Sequence, residues 1–544
     1  MRRLVGSAGL SRPLVLSAAA FTSGAVLLSV EIAASRVLAP FFGNSLFVWG
    51  ALIGVVLTGL SVGYWLGGLA ADRVPAPALM IVVMALGAAS VLAVPLVDES
   101  VLDAVVRWDP GPRANPLVAA VLLFGIPSVV LAAVTPIAVR LLAQTVETLG
   151  ATAGRLFAIS TFGSIVGTFV TAFWLVPELG IDQLLAFAAA TLFLAATLFA
   201  LSERLWALGL AVAVALTVST ATGFTLAPET GGRLSESAAR NWSPLYRRQS
   251  EGGRRDPIDF GADANVRYRK QSRYHQIAVV DEGDTRYLRF DSSFQSAMYL
   301  ADPYRTRFDY TDYLQLSLAY NPDARRILVI GLGGASAPKR MWRDFPDVQI
   351  EVAELDPAVV DVARRFFGFR EDERLKVATE DGRRFLARRS DRWDAIIVDA
   401  YFSDSVPFHL TTTEFVQLAR SRLEPGGVVV ANIIGAMRGE GSQLFRALWR
   451  TYRTVFPTVV VHPVLGRGDD PESILNLILV ATEGAAPNRA FLTSRWREIR
   501  AEHPRAPDLT RAIANRRLGP FPTDDVPVLT DDYAPTDALL LDDF

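Results

Sequence analysis

Long apolar runs fill the first 226 residues of the chain, and polar positions fall mainly between them. The runs lie near 14–39, 47–71, 78–97, 117–142, 157–176, 181–201 and 205–226. Each is long enough to cross about 30 Å of hydrocarbon at about 1.5 Å per residue. They lack the polar stripe of a soluble helix, and their number excludes a cleaved signal peptide as the explanation. The pattern predicts a transmembrane α-helical bundle of about seven spans over 1–226. The stretch from Asp98 to Asn115, interrupted by Pro, Asp and Arg, is expected at the surface instead. Gly54, Gly59, Gly63, Gly67 and Gly68 suit close helix packing.

Beyond residue 226 the pattern changes. Residues 227–268 are rich in Arg, Ser, Gly and Asp and read as a linker or surface loop. Segments 274–281 and 285–291 alternate apolar and polar residues around Glu282, Gly283 and Asp284, as a hairpin does. A helical stretch follows at about 309–320. Short apolar runs at 326–330, 349–353, 375–378, 394–398 and 427–433 have the character of strands buried in a parallel sheet, with helices between them. The expected fold is therefore an α/β Rossmann-like domain over 269–485, preceded by a small β-hairpin element and followed by a C-terminal extension, 486–544.

Charge sharpens this division. The first 226 residues hold 10 Arg, 10 Asp/Glu and no Lys, and the remaining 318 hold 90 charged residues. The formal charge of -2 is thus the sum of two balanced halves, and it argues against bulk nucleic-acid binding. Alternate spans place Arg2, Arg3, Arg12, Arg73, Arg140, Arg155 and Arg204 on one side and Arg107 and Arg113 on the other. That bias predicts a cytoplasmic N-terminus. Seven spans put the rest of the chain outside, yet Arg233, Arg240, Arg247 and Arg248 favour the cytoplasm, so the side of the soluble domain is left open. The lipid bilayer is the first expected partner. Glu31 and Arg36, within the first span, are read as a pair or as groups reaching the interface.

Chemistry concentrates in the second half. The strand at 326–330 runs into Gly331, Leu332, Gly333, Gly334, Ala335 and Ser336, and the strand at 349–353 ends in Glu354, Leu355 and Asp356. A glycine turn after one strand and an acid about 20 residues later form the pattern of a nucleotide-binding unit. Asp381 with Gly382 follows the third strand and Asp399 the fourth. Because ligands in open α/β sheets lie beyond the carboxyl ends of strands, Glu354, Asp381 and Asp399 are expected to line one cleft.

Taken together these residues resemble the spermidine synthase family, and the chain as a whole resembles membrane-fused spermidine synthase-like proteins. Ser272, Tyr274 and Ile277 fit the family's early S-x-Y-x-x-I. LRFDSSFQ, ending at Gln295, is similar to L-x-L-D-G-x-x-Q with Ser292 at the glycine, and FDYTDY gives Tyr310 and Asp312. Glu354 and Asp356 match the acidic pair, Asp381 and Gly382 the D-G, Asp399 the Asp of the catalytic loop, and PFHLTT (407–412) the segment after it. The resemblance implies aminopropyl transfer from decarboxylated S-adenosylmethionine to a small-molecule amine. It assigns Asp399 and Tyr310 to catalysis, and Gln295, Asp312, Asp404 and His409 to the substrate. The adenosyl donor falls to Gly331, Gly333, Gly334, Glu354, Asp356, Asp381 and Gly382. It also allows a homodimer. One departure matters: the family's turn is G-G-G-D-G-G, and Gly334 stands where its Asp binds an amino group.

That departure keeps other readings open: a methyltransferase using S-adenosylmethionine, a non-polyamine enzyme or binding module of the cell envelope, or transport by the spans. GYWLGGLAADR, ending at Arg73, resembles a loop of major facilitator transporters, but seven spans are too few for a complete one. No cysteine is present, and His275, His409, His462 and His503 lack metal-ligand spacing, so no metal is expected. There is no phosphate-binding G-x-x-x-x-G-K-[ST], and Ser336 lacks nucleophile-elbow glycines. The acids of 528–540, Asp531, Asp532 and Asp537, read as a solvated tail or else as a segment folded over the cleft.

Overall fold

The computed structural model describes residues 12–42, 46–74, 76–108, 110–111, 113–143, 145–176, 179–225, 265–291, 293–402, 406–439, 441–466 and 469–541. They form two compact units, one helical and N-terminal, the other α/β and C-terminal. Most of the expected linker, 227–268, lies outside the described residues, and the first strand begins at Asn265.

The helical unit contains α1 (Arg12–Phe42), α2 (Leu46–Arg73), α3 (Pro77–Trp108), α4 (Ala114–Leu142), α5 (Val146–Val170), α6 (Ile181–Ser202) and α7 (Trp206–Thr225). Six helices are long and apolar enough to cross a membrane; α5 runs on through the π-helical turn Thr171–Leu175, and α7 is the shorter seventh. Helix α3 continues into the stretch expected at the surface as far as Trp108. Its end follows a helical period of its own, burying Leu102, Val105 and Val106. Pro95 sits inside α3, and Pro127 and Pro136 inside α4.

Two seams hold the helices together. On α2 a Cβ at Gly59, Gly63 or Gly67 would lie 2.4 Å from Ser128 Cβ, 2.3 Å from Val129 O and 2.7 Å from Ala133 Cα, all on α4. On α5 a Cβ at Gly163 or Gly167 would lie 2.2 Å from the carbonyl of Phe21 or Ala25, on α1. Hydrogen therefore stands where a methyl would collide, and the backbones approach closely. Gly54 and Gly68, expected in the same packing, meet nothing within 4 Å. Ser23 Oγ donates to Leu131 O at 2.6 Å, and Thr171 Oγ1 to Ser29 Oγ at 2.8 Å, so these hydroxyls find partners within the apolar bundle. Arg12 pairs with Glu203 and Arg140 with Asp72, each joining helix ends that the arginine count assigned to one side.

In the α/β unit the expected hairpin grows into a five-stranded antiparallel sheet: β1 (Asn265–Gln271), β2 (Gln276–Glu282), β3 (Thr285–Phe290), β4 (Ser293–Tyr299) and β5 (Asp302–Thr306). The helical stretch at 309–320 divides into Tyr310–Tyr313 and Leu316–Tyr320. The main sheet comprises β6 (Arg326–Ile330), β7 (Gln349–Glu354), β8 (Leu375–Thr379), β9 (Trp393–Val398), β10 (Leu423–Gly435), β11 (Thr458–Pro463) and β12 (Leu475–Thr482). Its order is β11-β12-β10-β9-β6-β7-β8. Strands β8, β7, β6, β9 and β10 pair in parallel, while β12 runs antiparallel to β10 and β11. Both faces of the central strands are covered, which is why Ile327 to Ile330 and Ala395 to Val398 are uniformly apolar and buried.

Candidate active site

The strand order reverses direction at β6, where chain connections lead to β7 on one side and β9 on the other, and this places a cleft at their carboxyl ends. Strand β6 stops at Gly331, with φ +98° and a position where a Cβ would lie 2.2 Å from Asp399 O. Only glycine lets the turn pass so close to the end of β9. Leu332 N–H donates to Glu354 Oε2 at 2.8 Å and Asp356 N–H to Glu354 Oε1 at 2.9 Å. Burial pushes the Glu354 carboxyl up, against these two bonds. Asp356 caps the helix Pro357–Phe366 by accepting from Ala358 N–H at 2.9 Å, while its buried Oδ2 has no hydrogen-bond partner among the described residues.

Asp381 caps the helix Gly382–Arg388, accepting from Arg384 N–H at 2.9 Å. Its Oδ2 lies 2.8 Å from His409 Nε2. Burial alone would raise this carboxyl, but the His409 contact and the helix amides bring it below its ordinary range. Asp399 follows β9 and accepts from Asn432 Nδ2 at 2.8 Å. Burial pushes its pKa up to about 6, with the Asn432 bond opposing. Asn432 is itself held by Asn476 Nδ2, which donates to its Oδ1 at 3.0 Å. Tyr401, pushed up by burial, donates its hydroxyl to Asn432 O at 2.9 Å and accepts from Ile434 N–H at 3.0 Å.

Asp399, Tyr310, Gln295, His409, Gly331, Gly333, Glu354, Asp356, Asp381 and Gly382 all line this cleft. Tyr310 OH approaches Gln295 O at 3.4 Å. Two of the proposed ligand contacts are turned elsewhere. Asp312 is not among the lining residues; its Oδ1 accepts from Arg340 Nη1 at 2.6 Å, and burial holds its pKa near about 6 despite that partner. Gly334 N–H donates to Ser296 Oγ at 2.8 Å, and a Cβ there would lie 2.9 Å from both Phe367 Cδ1 and Ser296 Cβ, so the turn has no space for an aspartate. Behind it Lys339, 2% exposed, donates to Phe367 O at 2.7 Å and Gly334 O at 3.4 Å; burial lowers its pKa to about 7. Asp404 lies outside the described residues, as does Ser292.

Sequence reasoning missed Asn432 and Asn476, and gave His275 no role although it lines the cleft, stacked on Phe290 with ring centroids 4.4 Å apart. A signal for Asn432 existed: it is the one polar residue in the run VVVANII. Among the described residues no group of three His, Asp or Glu side chains could hold a metal.

A family model, the spermine/spermidine synthase domain, matches residues 308–463. The C-terminal half carries a spermine/spermidine synthase domain. A polyamine aminopropyltransferase of Vibrio vulnificus is 28% identical over 294 residues, covering 52% of this chain and 94% of that enzyme. A probable polyamine aminopropyl transferase of Bifidobacterium longum is 31% identical over 195 residues, covering 36% of this chain and 43% of its own. The solved spermidine synthase of Thermotoga maritima aligns over 47% of this chain and 84% of that one, with 22% identity and a TM-score of 0.39. The match falls on the domain that holds the cleft, and the spermidine synthase-like domain has polyamine aminopropyltransferases among its relatives.

Proposed function

We propose that this protein is a membrane-anchored aminopropyltransferase whose cleft takes decarboxylated S-adenosylmethionine and a small-molecule amine. The observation that carries the reading is Asp399: a carboxylate in the cleft, beside the glycine turn, held by Asn432 with a pKa near about 6. An alkylammonium with a pKa of about 10.4 has no lone pair, so a group must take its proton before the nitrogen can attack. In the proposed step Asp399 accepts that proton and the amine nitrogen bonds to the aminopropyl carbon next to the sulfonium. The C–S bond breaks with its electron pair going to sulfur, and methylthioadenosine leaves. Glu354, Asp356 and Asp381 would hold the adenosyl group, with Tyr310 and Gln295 positioning the amine. Helices α1 to α6 would anchor the chain in the bilayer.

The test is methylthioadenosine release by the full chain in detergent, given the decarboxylated donor and a series of amines. Release that is unchanged in Asp399→Asn would remove the general base from the scheme. A reporter fused to the C-terminus would fix the side of the membrane, and an external position would exclude a cytosolic donor.

A second reading, methyl transfer from S-adenosylmethionine itself, is favoured by Gly334. The turn offers no acid to an ammonium tail. Calorimetry with the two donors separates the readings, because tighter binding of the carboxylated donor supports only the second.

A further inference from the structure

The C-terminal segment is joined to the wall of the cleft at several points. Val526 and Leu529 are buried in the same core as Leu410 and Phe415. On one side, Leu529 N–H donates to Thr451 Oγ1 at 2.9 Å, and Arg450 Nη1 donates to Thr523 O at 2.8 Å, both from the helix Gln443–Val455. On the other, Thr413 N–H donates to Leu529 O at 2.8 Å, Thr412 Oγ1 donates to Asp531 Oδ1 at 2.7 Å, and Asp531 N–H donates to Glu414 at 3.0 Å. The segment is therefore no solvated tail.

Arg383 carries these contacts into the cleft. It is the residue after Gly382, on the helix that Asp381 caps. Its guanidinium grips Asp531 with two parallel bonds, Nη1 to Oδ1 at 2.7 Å and Nη2 to Oδ2 at 2.6 Å, a geometry that fixes orientation as well as distance. Nη1 also donates to His409 O at 3.0 Å. His409 presents its ring to Asp381 at 2.8 Å, and Pro407, His409 and Leu410 line the cleft. A continuous chain of contacts thus runs from Asp531 through Arg383 to the backbone of His409 and ends on Asp381.

We propose that Val526–Asp531 is a strap that sets the Pro407–Thr412 wall, and that Asp531 and Arg383 are positioning residues for the group bound at Asp381. Neither touches the reacting atoms. The inference rests on the adenosyl-donor reading of the cleft. Partners that orient a ligand-binding group from one shell out typically change affinity by roughly tenfold when removed. Because they act on the wall and leave Asp399 alone, the change belongs in donor affinity and not in turnover.

The experiment uses the full chain in detergent, as wild type, Asp531→Ala, Asp531→Glu and Arg383→Gln. Two measurements are made: hydrogen exchange of amides 408–412 without ligand, and calorimetric binding of methylthioadenosine together with the donor KM and kcat. The strap predicts faster exchange of 408–412 in Asp531→Ala and Arg383→Gln, and methylthioadenosine binding and donor KM about tenfold weaker with kcat nearly unchanged. Asp531→Glu, which keeps the carboxylate, should recover most of the loss. A lower melting temperature with unaltered 408–412 exchange, or unaltered donor affinity, overturns it. If the wild type binds no adenosyl compound, the functional reading has failed, and the exchange measurement alone then decides whether the strap holds the wall.

Discussion

Asn432 donates its side-chain amide to Asp399 across the β9–β10 pair at 2.8 Å, and Asn476 on β12 in turn fixes Asn432. The carboxylate is thereby steadied without a cation. A nearby arginine would pull its pKa down and leave it a poor base, whereas one neutral donor leaves burial in control. Its value near about 6 keeps it ionised at neutral pH and close enough to accept a proton.

Activity should rise through an apparent pKa of about 6 and be lost below it, as Asp399 protonates. Asp399→Asn should lower turnover by about 100-fold or more. The same substitution should stabilise the fold at neutral pH. The folded pKa is above the unfolded one, so stability present at acid pH is lost as the pH climbs through about 6, and removing the charge recovers roughly 1–2 kcal/mol. Melting curves at about pH 3.5 and pH 8 check this: the gain should be nearly absent at the lower pH, which lies below the unfolded pKa, and complete at the higher.

Asn432→Ala removes the bond that opposes burial, so the acid limb of the pH–rate profile should move upward, with the largest loss of activity near pH 6 to 7. Rates across pH 5 to 9 measure it, and an unmoved limb would mean that the hydrogen bond does not tune the base.

Lys339 has its ammonium buried behind the glycine turn and a folded pKa near about 7. Between about pH 7 and about pH 10.4 the unfolded chain holds a proton that the folded chain has released, so stability should increase with pH across that window. Lys339→Met should flatten the slope and raise stability at pH 6 by roughly 2 kcal/mol. Thermal midpoints of both proteins from pH 6 to 10 test the sign.

Gly331→Ala combines a positive φ with overlap on Asp399 O, and should disrupt the cleft along with the fold of the turn. Gly334→Asp meets a different obstacle, Phe367 and Ser296, and should cost about 1–3 kcal/mol without creating an ammonium site. Restored or improved aminopropyl transfer in Gly334→Asp would show that the turn can move, against the geometry described above.

The parallel strands and the glycine turn were legible because a strand buried on both faces must be apolar and must end where the chain turns. Strands β4 and β5 were not, because their polar residues, such as Ser296 and Asp302, conform to no simple alternation. The acids of the cleft could be placed from strand ends alone. The pairing of Asp312 with Arg340, 28 residues on and beyond strand β6, could not, since nothing in the spacing distinguishes an acid facing a ligand from one facing an arginine. Asn432 needed the register that sets Ala431 beside Val398 before its polarity had meaning. In the helical half, hydropathy located the long apolar helices, but which glycines met a neighbour depended on rotation about α2: Gly63 did and Gly54 did not.

The glycine seams bear on what the helical half can do. A Cβ at Gly63 or Gly163 has no room, and each seam is a run of contacts between backbones, the α1–α5 seam being tied across as well by bonds such as Ser29 to Gly167 O. Alternating access would require helices to rock past one another, lifting one backbone off the other at every cycle and leaving those serine hydroxyls without acceptors in an apolar medium. Such a bundle is suited to be a fixed frame. Gly63→Val should loosen it by roughly 1–3 kcal/mol in detergent unfolding, whereas Gly54→Ala should be silent.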